Sequence, residues 1–193
     1  MYPFEENLKR ICDSVMSMDP AVYEKLLQDC NNALKNGNKI VLSGLGKNGP
    51  VCRKVSASML SLNINSAFLH TEEAFHGDIG MVGRDDVVII LSKSGTTPQA
   101  VQLAKLLKER GIHHLWALTF NHDNPLATIA GNNLELSLEH EGDSWNLISI
   151  NSTAAMLIVL QGLAIELSQL SGITLEEFKG NHLGGGVGII LSK

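Results

Sequence analysis

The sequence contains few cysteines, few aromatic residues and no long uninterrupted apolar segment. Its three cysteines, Cys12, Cys30 and Cys52, are odd in number and lack metal-ligand spacing, which favours reduced thiols in a reducing compartment. No apolar run approaches the roughly 20 residues that a transmembrane helix needs, and the N-terminus lacks a signal-peptide pattern. We therefore expect a cytoplasmic protein without a membrane partner.

Positive charge is also scarce. Fifteen Lys and Arg against 20 Asp and Glu give a net charge of -5, and the basic residues form no cluster, which argues against nucleic acid as a partner. A small anionic ligand stays compatible with this balance, because helix N-termini and a single lysine act at short range, whereas distant charges are screened within about 8–10 Å. With 193 residues, 44% of them apolar and 18% charged, the chain fits one globular domain.

Helical patterns alternate with short apolar runs along the chain. The predicted strands cover 40–43, 67–70, 87–91, 115–119 and, as an edge strand, 134–138. The predicted helices cover two pieces within 4–36 and then 50–62, 98–110, 125–130, 146–170 and 175–179. This alternation predicts an α/β fold, a doubly wound parallel sheet with helices on both faces in three layers, whose ligands gather at the carboxyl ends of the strands.

One apolar strand runs directly into a turn rich in hydroxyl groups, with the sequence VVIILSKSGTT at 87–97. Pro98 follows at the place where a helix would begin. Ser92, Ser94, Gly95 and Thr97 would then lie at the helix N-terminus, where unpaired N–H groups and the helix dipole favour an anion. The stretch therefore predicts a phosphate site, with an ordinary capped turn as the alternative.

A glycine turn, GLGKNG at 44–49, follows the first predicted strand. It fits the GxGxxG dinucleotide pattern, and Glu72 lies near the place of a ribose-binding acid, so a nucleotide enzyme is one interpretation. A lysine in the turn and the second, hydroxyl-rich turn suit a sugar phosphate at least as well. A turn that only connects strand and helix is the third interpretation.

Five segments occur in the order found in the sugar isomerase (SIS) domain family. They are GLGKNG, HTEEAFHGDIGMV, SKSGTTPQ, a glutamate before a long helix containing NSTAA, and FKGNHLGGGVG. Over about 38–188 the sequence most resembles the arabinose 5-phosphate isomerases of this family. SxSGxT is typical of the whole superfamily, while HGDxGM and the terminal His-x-Gly-Gly narrow the resemblance to the arabinose 5-phosphate isomerases. Many relatives carry two CBS modules after the SIS domain; this sequence ends too soon for them, so we expect no regulation through such modules.

The resemblance implies a flavodoxin-like sheet of five parallel strands in a single SIS domain, 1–193, with the helical segment 1–37 packed on it. It implies interconversion of D-ribulose 5-phosphate and D-arabinose 5-phosphate through an enediol, with no cofactor and no metal. It also implies a homodimer or homotetramer with sites at subunit interfaces. The residues implied to bind the substrate are Ser92, Ser94 and Thr97 at the phosphate, with Ser43, Gly46, Lys47 and Asn48 lining the same pocket.

A 1,2 proton shift needs a base, stabilisation of the enediolate and a group that opens the sugar ring. Glu141, in a loop before a helix, is the candidate base, and a solvated loop carboxylate is the alternative. His182 could open the ring or shuttle a proton, because histidine titrates near neutrality; a capping or packed turn residue is its alternative. Lys47 could stabilise the oxyanion or hold the phosphate.

His70 and His76 flank an acidic segment, but their spacing of six matches no strong metal motif. By the resemblance, we predict that they contact substrate hydroxyls, with His76 reaching a neighbouring subunit's pocket; a structural role is the alternative for His70. The remaining histidines are expected on the surface. They are His113, His114, His122 and His140.

Two positions depart from the family pattern. Gln99 replaces the glutamate that usually follows the SxSG turn, and an amide can form hydrogen bonds but cannot act as a base at neutral pH. Leu183 replaces a proline, which removes a restraint from the loop that carries His182. Either Glu141 suffices as the base or the activity differs. The alternatives are a non-catalytic sugar-phosphate sensor and an isomerase for sedoheptulose or hexulose phosphates.

Overall fold

Five parallel strands form one sheet in the computed structural model, which describes residues 3–191. The strands are β1 (Ile40–Gly44), β2 (Ser66–His70), β3 (Val87–Leu91), β4 (His114–Thr119) and β5 (Asn133–Glu135). Their order across the sheet is β2-β1-β3-β4-β5. The expected five-stranded parallel sheet is therefore confirmed.

Helices cover both faces of the sheet, which confirms the three-layer arrangement. They are α1 (Pro3–Met16), α2 (Pro20–Lys35), α3 (Asn48–Ser61), α4 (Pro98–Glu109), α5 (Pro125–Ala130), α6 (Asn151–Ser171), α7 (Leu175–Gly180) and α8 (Gly185–Leu191). Two short 3-10 helices, Glu73–His76 and Asp78–Met81, follow β2. Helices α2, α3 and α6 pack on one face, and α4 and α5 pack on the other.

The central strand β3 shows why the sheet is covered on both faces. All five of its side chains are buried. Val87, Ile89 and Leu91 join the core beneath α2, α3 and α6, whereas Val88 and Ile90 join the core beneath α4 and α5. Alternate side chains of a strand point to opposite faces, so a continuous apolar run serves two cores at once.

A buried carboxylate joins the amino ends of β1 and β3. Asp86 is 2% exposed, and its Oδ1 accepts the N–H of Lys39 at 2.9 Å. Its Oδ2 accepts from Lys39 Nζ at 2.6 Å and from the Gly83 N–H at 2.7 Å. This contact precedes the first pair of the ladder, Ile40 with Val87, and holds the two strands in that register.

The long helix α6 begins five residues later than the predicted start at 146, so that boundary was wrong. The Asp143 carboxylate accepts the N–H groups of Trp145, Leu147 and Ile148, and Asn146 has a left-handed φ of +55°. Side chains that bind backbone N–H groups compete with helix formation, which explains the delayed start. The segment 143–150 is consequently a loop at the carboxyl edge of the sheet.

Helix α6 is long and apolar enough, by length and composition alone, to cross a membrane. Its buried residues, among them Met156, Leu160 and Leu163, belong to the core against the sheet. Ile158 and Ile165 remain 48% and 54% exposed on its outer side. Helices α1 and α2 both pack against α6.

The edge strand is shorter than the predicted 134–138. Strand β5 pairs with β4 only from Asn133 to Glu135, opposite Ala117 to Thr119. One further hydrogen bond joins Leu136 N to Thr119 O, after which β4 has ended. Within the described part of the chain, 3–191, residues 137 and 138 therefore have no strand beside them.

Candidate active site

A cavity of about 520 Å³ lies at the carboxyl edge of the sheet. Three segments enclose it: the β1–α3 turn, the β3–α4 turn and the loop before α6. Its lining residues are Leu45, Gly46, Lys47, Asn48, Leu91, Lys93, Ser94, Thr97, Ala100, Leu147, Ile148 and Ser149. The structure thus brings the two predicted turns together, since β1 and β3 are neighbours and Gly44 pairs with Leu91.

Hydrogen bonds from its own hydroxyl groups stabilise the β3–α4 turn. The buried Ser92 Oγ accepts the Gly95 N–H at 3.1 Å and lies 3.2 Å from Thr97 Oγ1. Ser94 Oγ accepts from the N–H and hydroxyl of Thr96 at 3.2 and 2.8 Å. The Thr97 side chain does not cap α4, so the N–H groups of the first helical turn stay available to a ligand. An anion entering the cavity would meet these donors.

The β1–α3 turn requires two glycines. A Cβ on Gly44 would lie 2.9 Å from Asn48 Cβ, and Gly46 has a φ of +57°, which disfavours any larger residue. Asn48 Nδ2 donates to Leu91 O at 3.2 Å and so ties this turn to the end of β3. The exposed Lys47 projects from the turn at the cavity wall.

Glu141 is completely buried, so the alternative of a solvated loop carboxylate is wrong. Its Oε2 accepts the N–H groups of Ile150 and Ser152 at 3.0 and 2.9 Å. Its Oε1 accepts the Ser152 hydroxyl at 2.6 Å and lies 2.7 Å from Lys93 Nζ. Burial alone would raise the pKa of this carboxyl, but the hydrogen bonds from Lys93, Ser152 and Ile150 outweigh burial and hold the pKa below its usual range.

This environment has a chemical consequence for the candidate base. General bases work best with a pKa near the operating pH. Glu141 is ionised but is engaged by four hydrogen bonds, which together make it a weak proton acceptor in this state. Any role as base requires that one of these bonds be released.

Four predicted residues adjoin the cavity without lining it; the first is Glu141, which is connected to the cavity wall through Lys93. Ser43, fully buried in β1, lies 3.1 Å from Thr71 Oγ1. Ser92 lies beneath the turn and supports Thr97. Gln99, half-buried on α4, donates to Glu72 Oε1 at 3.4 Å. Of the twelve residues proposed for the site, five line this cavity: Gly46, Lys47, Asn48, Ser94 and Thr97.

The histidines predicted for substrate contact lie outside the cavity lining. His70 ends β2, and its buried Nδ1 has no hydrogen-bond partner among the described residues. His76 is exposed at the end of a 3-10 helix. Two of the histidines expected on the surface, His114 and His140, are instead half-buried, and His140 Nδ1 accepts the Gly142 N–H at 2.9 Å.

His182 lies far from the cavity of its own chain. Its Nδ1 is 2.8 Å from Phe178 O, and its ring stacks on that of Phe178 at 4.1 Å between centroids. The preceding residue, Asn181, donates to Leu60 O at 3.5 Å. Leu60 is 12 residues along α3 from Asn48 at the cavity, a rise of about 18 Å along the helix axis.

Two parts of the cavity wall were missed by the sequence analysis. Lys93 had a usable signal, because it stands between Ser92 and Ser94 in the predicted phosphate turn. Leu147, Ile148 and Ser149 had none, since their apolar pattern continues that of α6 and suggests helix. Among residues 3–191, no three His, Cys, Asp or Glu side chains come together as a metal site.

Comparison with known proteins places these features in a family. The sequence matches the SIS domain over residues 33–166. It is 38% identical to the arabinose 5-phosphate isomerase KdsD of Pseudomonas aeruginosa over 91% of this chain and 54% of that protein, so the chain spans about half the length of this relative. The fold is similar to Escherichia coli CFT073 c3406 in complex with arabinose 5-phosphate, with a TM-score of 0.79, 31% identity and coverage of 91% of each chain.

A second solved structure, from Bacteroides fragilis, has a TM-score of 0.87 and 27% identity, and the match covers 95% of this chain and 97% of that one. The family match includes both turns at the cavity, Glu141 and most of α6. This protein is therefore a member of the SIS (sugar isomerase) domain family.

Proposed function

We propose that the protein is an aldose–ketose isomerase that interconverts D-ribulose 5-phosphate and D-arabinose 5-phosphate, with the whole chain acting as one SIS domain. The observation that carries the proposal is that Lys93, which belongs to the hydroxyl-rich turn at the cavity, forms an ion pair with the buried Glu141. The identity of 38% to an arabinose 5-phosphate isomerase supports the choice of substrate. Three free cysteines support the cytoplasm as its location.

The phosphate group is assigned to the β3–α4 turn. Ser94, Thr97 and the free N–H groups at the start of α4 supply donors, and the positive end of the helix dipole favours the dianion. Lys47, on the facing turn, supplies an ammonium that would stabilise either the phosphate or the oxygen of the enediolate. Asn48 keeps the two turns at a constant separation through Leu91.

Glu141 is assigned the proton transfer. From the ketose, its carboxylate removes the proton at C1 while O2 takes up a proton, which gives the enediol; the same carboxyl then returns a proton to C2 while O1 loses its proton, which gives the aldose. The second oxygen of Glu141 stays bound by the N–H groups of Ile150 and Ser152, which orients the reacting oxygen. Gln99 would contribute hydrogen bonds only.

Ring opening is assigned to His182 of a neighbouring subunit. This assignment rests on the roughly 18 Å that separates the level of Asn181 from the cavity of the same chain. Exposed apolar side chains near both places support assembly into a dimer or tetramer, with Leu147 78% exposed and Leu183 91% exposed. His76, also exposed, is assigned a contact in such a neighbouring site.

Proton exchange with solvent tests the proposal. The protein is incubated with ribulose 5-phosphate in deuterated water, and arabinose 5-phosphate is followed by NMR. Deuterium at C2 of the aldose is expected, because an enediol exchanges its proton with solvent. Absence of turnover with this and with any other five- to seven-carbon sugar phosphate would refute the isomerase assignment.

A non-catalytic sugar-phosphate sensor is the second candidate. Two observations favour it: Gln99 cannot act as a base, and the Glu141 carboxylate is fully hydrogen-bonded. Calorimetry would show tight binding of arabinose 5-phosphate, while NMR would show no deuterium incorporation. That combination would select the sensor over the isomerase.

A further inference from the structure

Lys93 borders two anion sites at once. Its Nζ lies 2.7 Å from Glu141 Oε1, while its side chain, 40% exposed, lines the cavity. Its neighbours in sequence are Ser92 and Ser94 of the phosphate turn. A single ammonium thus has the candidate base on one side and the proposed phosphate position on the other.

Release of Lys93 would expose one defined oxygen. Among the described donors to Glu141, Lys93 is the one that lines the cavity, whereas Ser152 and the Ile150 N–H belong to the start of α6. If Nζ leaves, Oε1 regains a free lone pair on the side where Lys93, a residue of the cavity wall, now lies. Oε2 stays bound by its two N–H groups, so the carboxylate keeps its orientation.

The backbone at Lys93 is fixed, so movement is confined to the side chain. Lys93 O accepts the Phe120 N–H at 2.9 Å, and the Ser92 N–H donates to Leu118 O at 3.1 Å. A lysine has a flexible four-carbon stem and three donors that can rotate. A bound phosphate carries about -1.5 to -2 charges at neutral pH, more than one carboxylate, and therefore competes for the ammonium.

We propose that Lys93 is a positioning residue whose ammonium moves from Glu141 to the substrate phosphate when the phosphate enters the β3–α4 turn, which frees Glu141 Oε1 to act as the base. This inference rests on the proposed function. It makes the phosphate group part of the activation of the base as well as an anchor. A sugar without phosphate would enter the cavity while Glu141 is still paired with Lys93.

Titration of Glu141 with and without a phosphosugar tests the exchange. The probe is D-arabinitol 5-phosphate, which has no carbonyl group and cannot isomerise. The carboxyl signals of protein labelled with ¹³C-glutamate are followed by NMR, and Glu141→Gln identifies the signal of interest. In the wild type, the probe should raise the pKa of Glu141, because the adjacent positive charge has left.

Two other titratable side chains near the Glu141 carboxyl are hydrogen-bonded to groups other than this carboxyl. Asp143 of the same loop binds backbone N–H groups, and His140 binds the Gly142 N–H. From α1 the neutral Asn7 accepts a hydrogen bond from the Asn151 side chain at the start of α6. Lys93 is thus the charged side chain that lies against Glu141 within the described residues, and its movement should dominate the change in the pKa of Glu141.

Variants separate the exchange from a structural role. In Lys93→Met the probe should raise the pKa of Glu141 less than in the wild type, because only repulsion by the phosphate remains. Oε1 is then free without phosphate, so the ratio of kcat for phosphorylated to unphosphorylated arabinose should fall roughly 10-fold. Lys93→Arg, which keeps the charge, should restore part of that ratio. Lys105→Met removes an exposed lysine of α4 and should behave as the wild type. If Lys93→Met does not fold, the titration of the wild type and Lys93→Arg still decides.

The outcomes distinguish this inference from the proposed function. The exchange would be overturned if the bound probe does not change the pKa of Glu141, or if it raises this pKa equally in the wild type and in Lys93→Met. Either result would count against the exchange even if arabinose 5-phosphate is isomerised. A response of Glu141 to the probe without any isomerisation would refute the proposed function and leave the exchange in place. Failure of the probe to bind would overturn the phosphate site on which the exchange depends, while the deuterium experiment would still decide the proposed function.

Discussion

Gly95 lies against the side chain of Asn124 at a φ of +67°, so closely that a Cβ at Gly95 would overlap the Asn124 amide. Asn124 also accepts the Ala127 N–H at 2.8 Å as the cap of α5, and Gly95 O accepts the Leu126 N–H at 3.1 Å. The phosphate turn and the start of α5 are therefore one packed unit.

Gly95→Ala should destabilise the protein by more than about 2 kcal/mol, because it adds an overlap to the strain of a left-handed backbone. Gly37→Ala is the matched control: its φ is +79°, but a Cβ there meets nothing within 4 Å, so its cost should be about 1 kcal/mol. Urea unfolding measures both free energies. Equal costs in the two variants would argue against the overlap.

Glu141→Gln should lower kcat by about 10²- to 10⁴-fold while sugar phosphate still binds, because an amide cannot accept the proton. The measurement is kcat for arabinose 5-phosphate beside calorimetric binding of the same ligand. A circular dichroism spectrum must match that of the wild type, since the substitution leaves Lys93 without its ionised partner. Turnover near the wild-type rate would remove Glu141 as the base.

Thr97→Val should weaken binding of phosphorylated sugars by roughly 10-fold or more, because a hydrogen bond to a charged group contributes about 1.5–3 kcal/mol. Binding of the unphosphorylated sugar should not change. Thr128→Val, an exposed position on α5 outside this cavity, serves as the control. An equal loss of affinity for both sugars would show that Thr97 does not contact the phosphate.

Acid should destabilise the protein partly through Glu141. Burial would raise the pKa of this carboxyl, but hydrogen bonds led by that of Lys93 hold it below its usual range. Its contribution to stability is therefore complete above the unfolded value of about 4.3 and is lost as the pH falls through the lower folded value. Ser152→Ala removes one donor and should reduce this loss; Ser171→Ala at the other end of α6 should not. Melting temperatures between pH 3 and 6 provide the measurement.

Thiol labelling should distinguish the three cysteines. Cys12 is exposed on α1, whereas Cys30 and Cys52 are buried, and burial raises the pKa of both of their thiols. Only the thiolate reacts readily. Iodoacetamide at pH 8 should therefore modify one cysteine in the native protein and three after unfolding in urea, as counted by mass spectrometry. Rapid modification of three thiols in the native state would contradict the described burial.

The sheet and its two turns were predictable because their signals are local. The run Val87–Leu91 has the composition of a strand covered on both faces, and Pro98 marks the start of α4. Gly95 and Thr97 follow at positions where a helix N-terminus needs small or polar residues. Neighbouring strands then bring the two turns to one edge.

The state of Glu141 was not predictable, because it depends on contacts across the chain. Its polar neighbours Glu139, His140 and Asp143 indicate a solvated loop, yet Lys93, 48 positions earlier, and Ser152, 11 positions later, enclose it. The predicted start of α6 was wrong for a related reason: the Asp143 side chain accepts hydrogen bonds from N–H groups that the apolar pattern assigns to a helix. Side-chain competition for backbone donors leaves no trace in hydrophobic periodicity.

The Asp86 contact with Lys39 and Gly83 also controls the alignment of the two turns at the opposite edge. A slip of β3 against β1 by one residue would displace Ser94 from Asn48 by about 3.3 Å and turn every β3 side chain to the other core. Asp86 accepts hydrogen bonds from both the backbone and the ammonium of Lys39, so it fixes the register of β3 against β1 at the amino ends of the strands. The amides of β1 and β3 should accordingly be among the slowest to exchange with solvent.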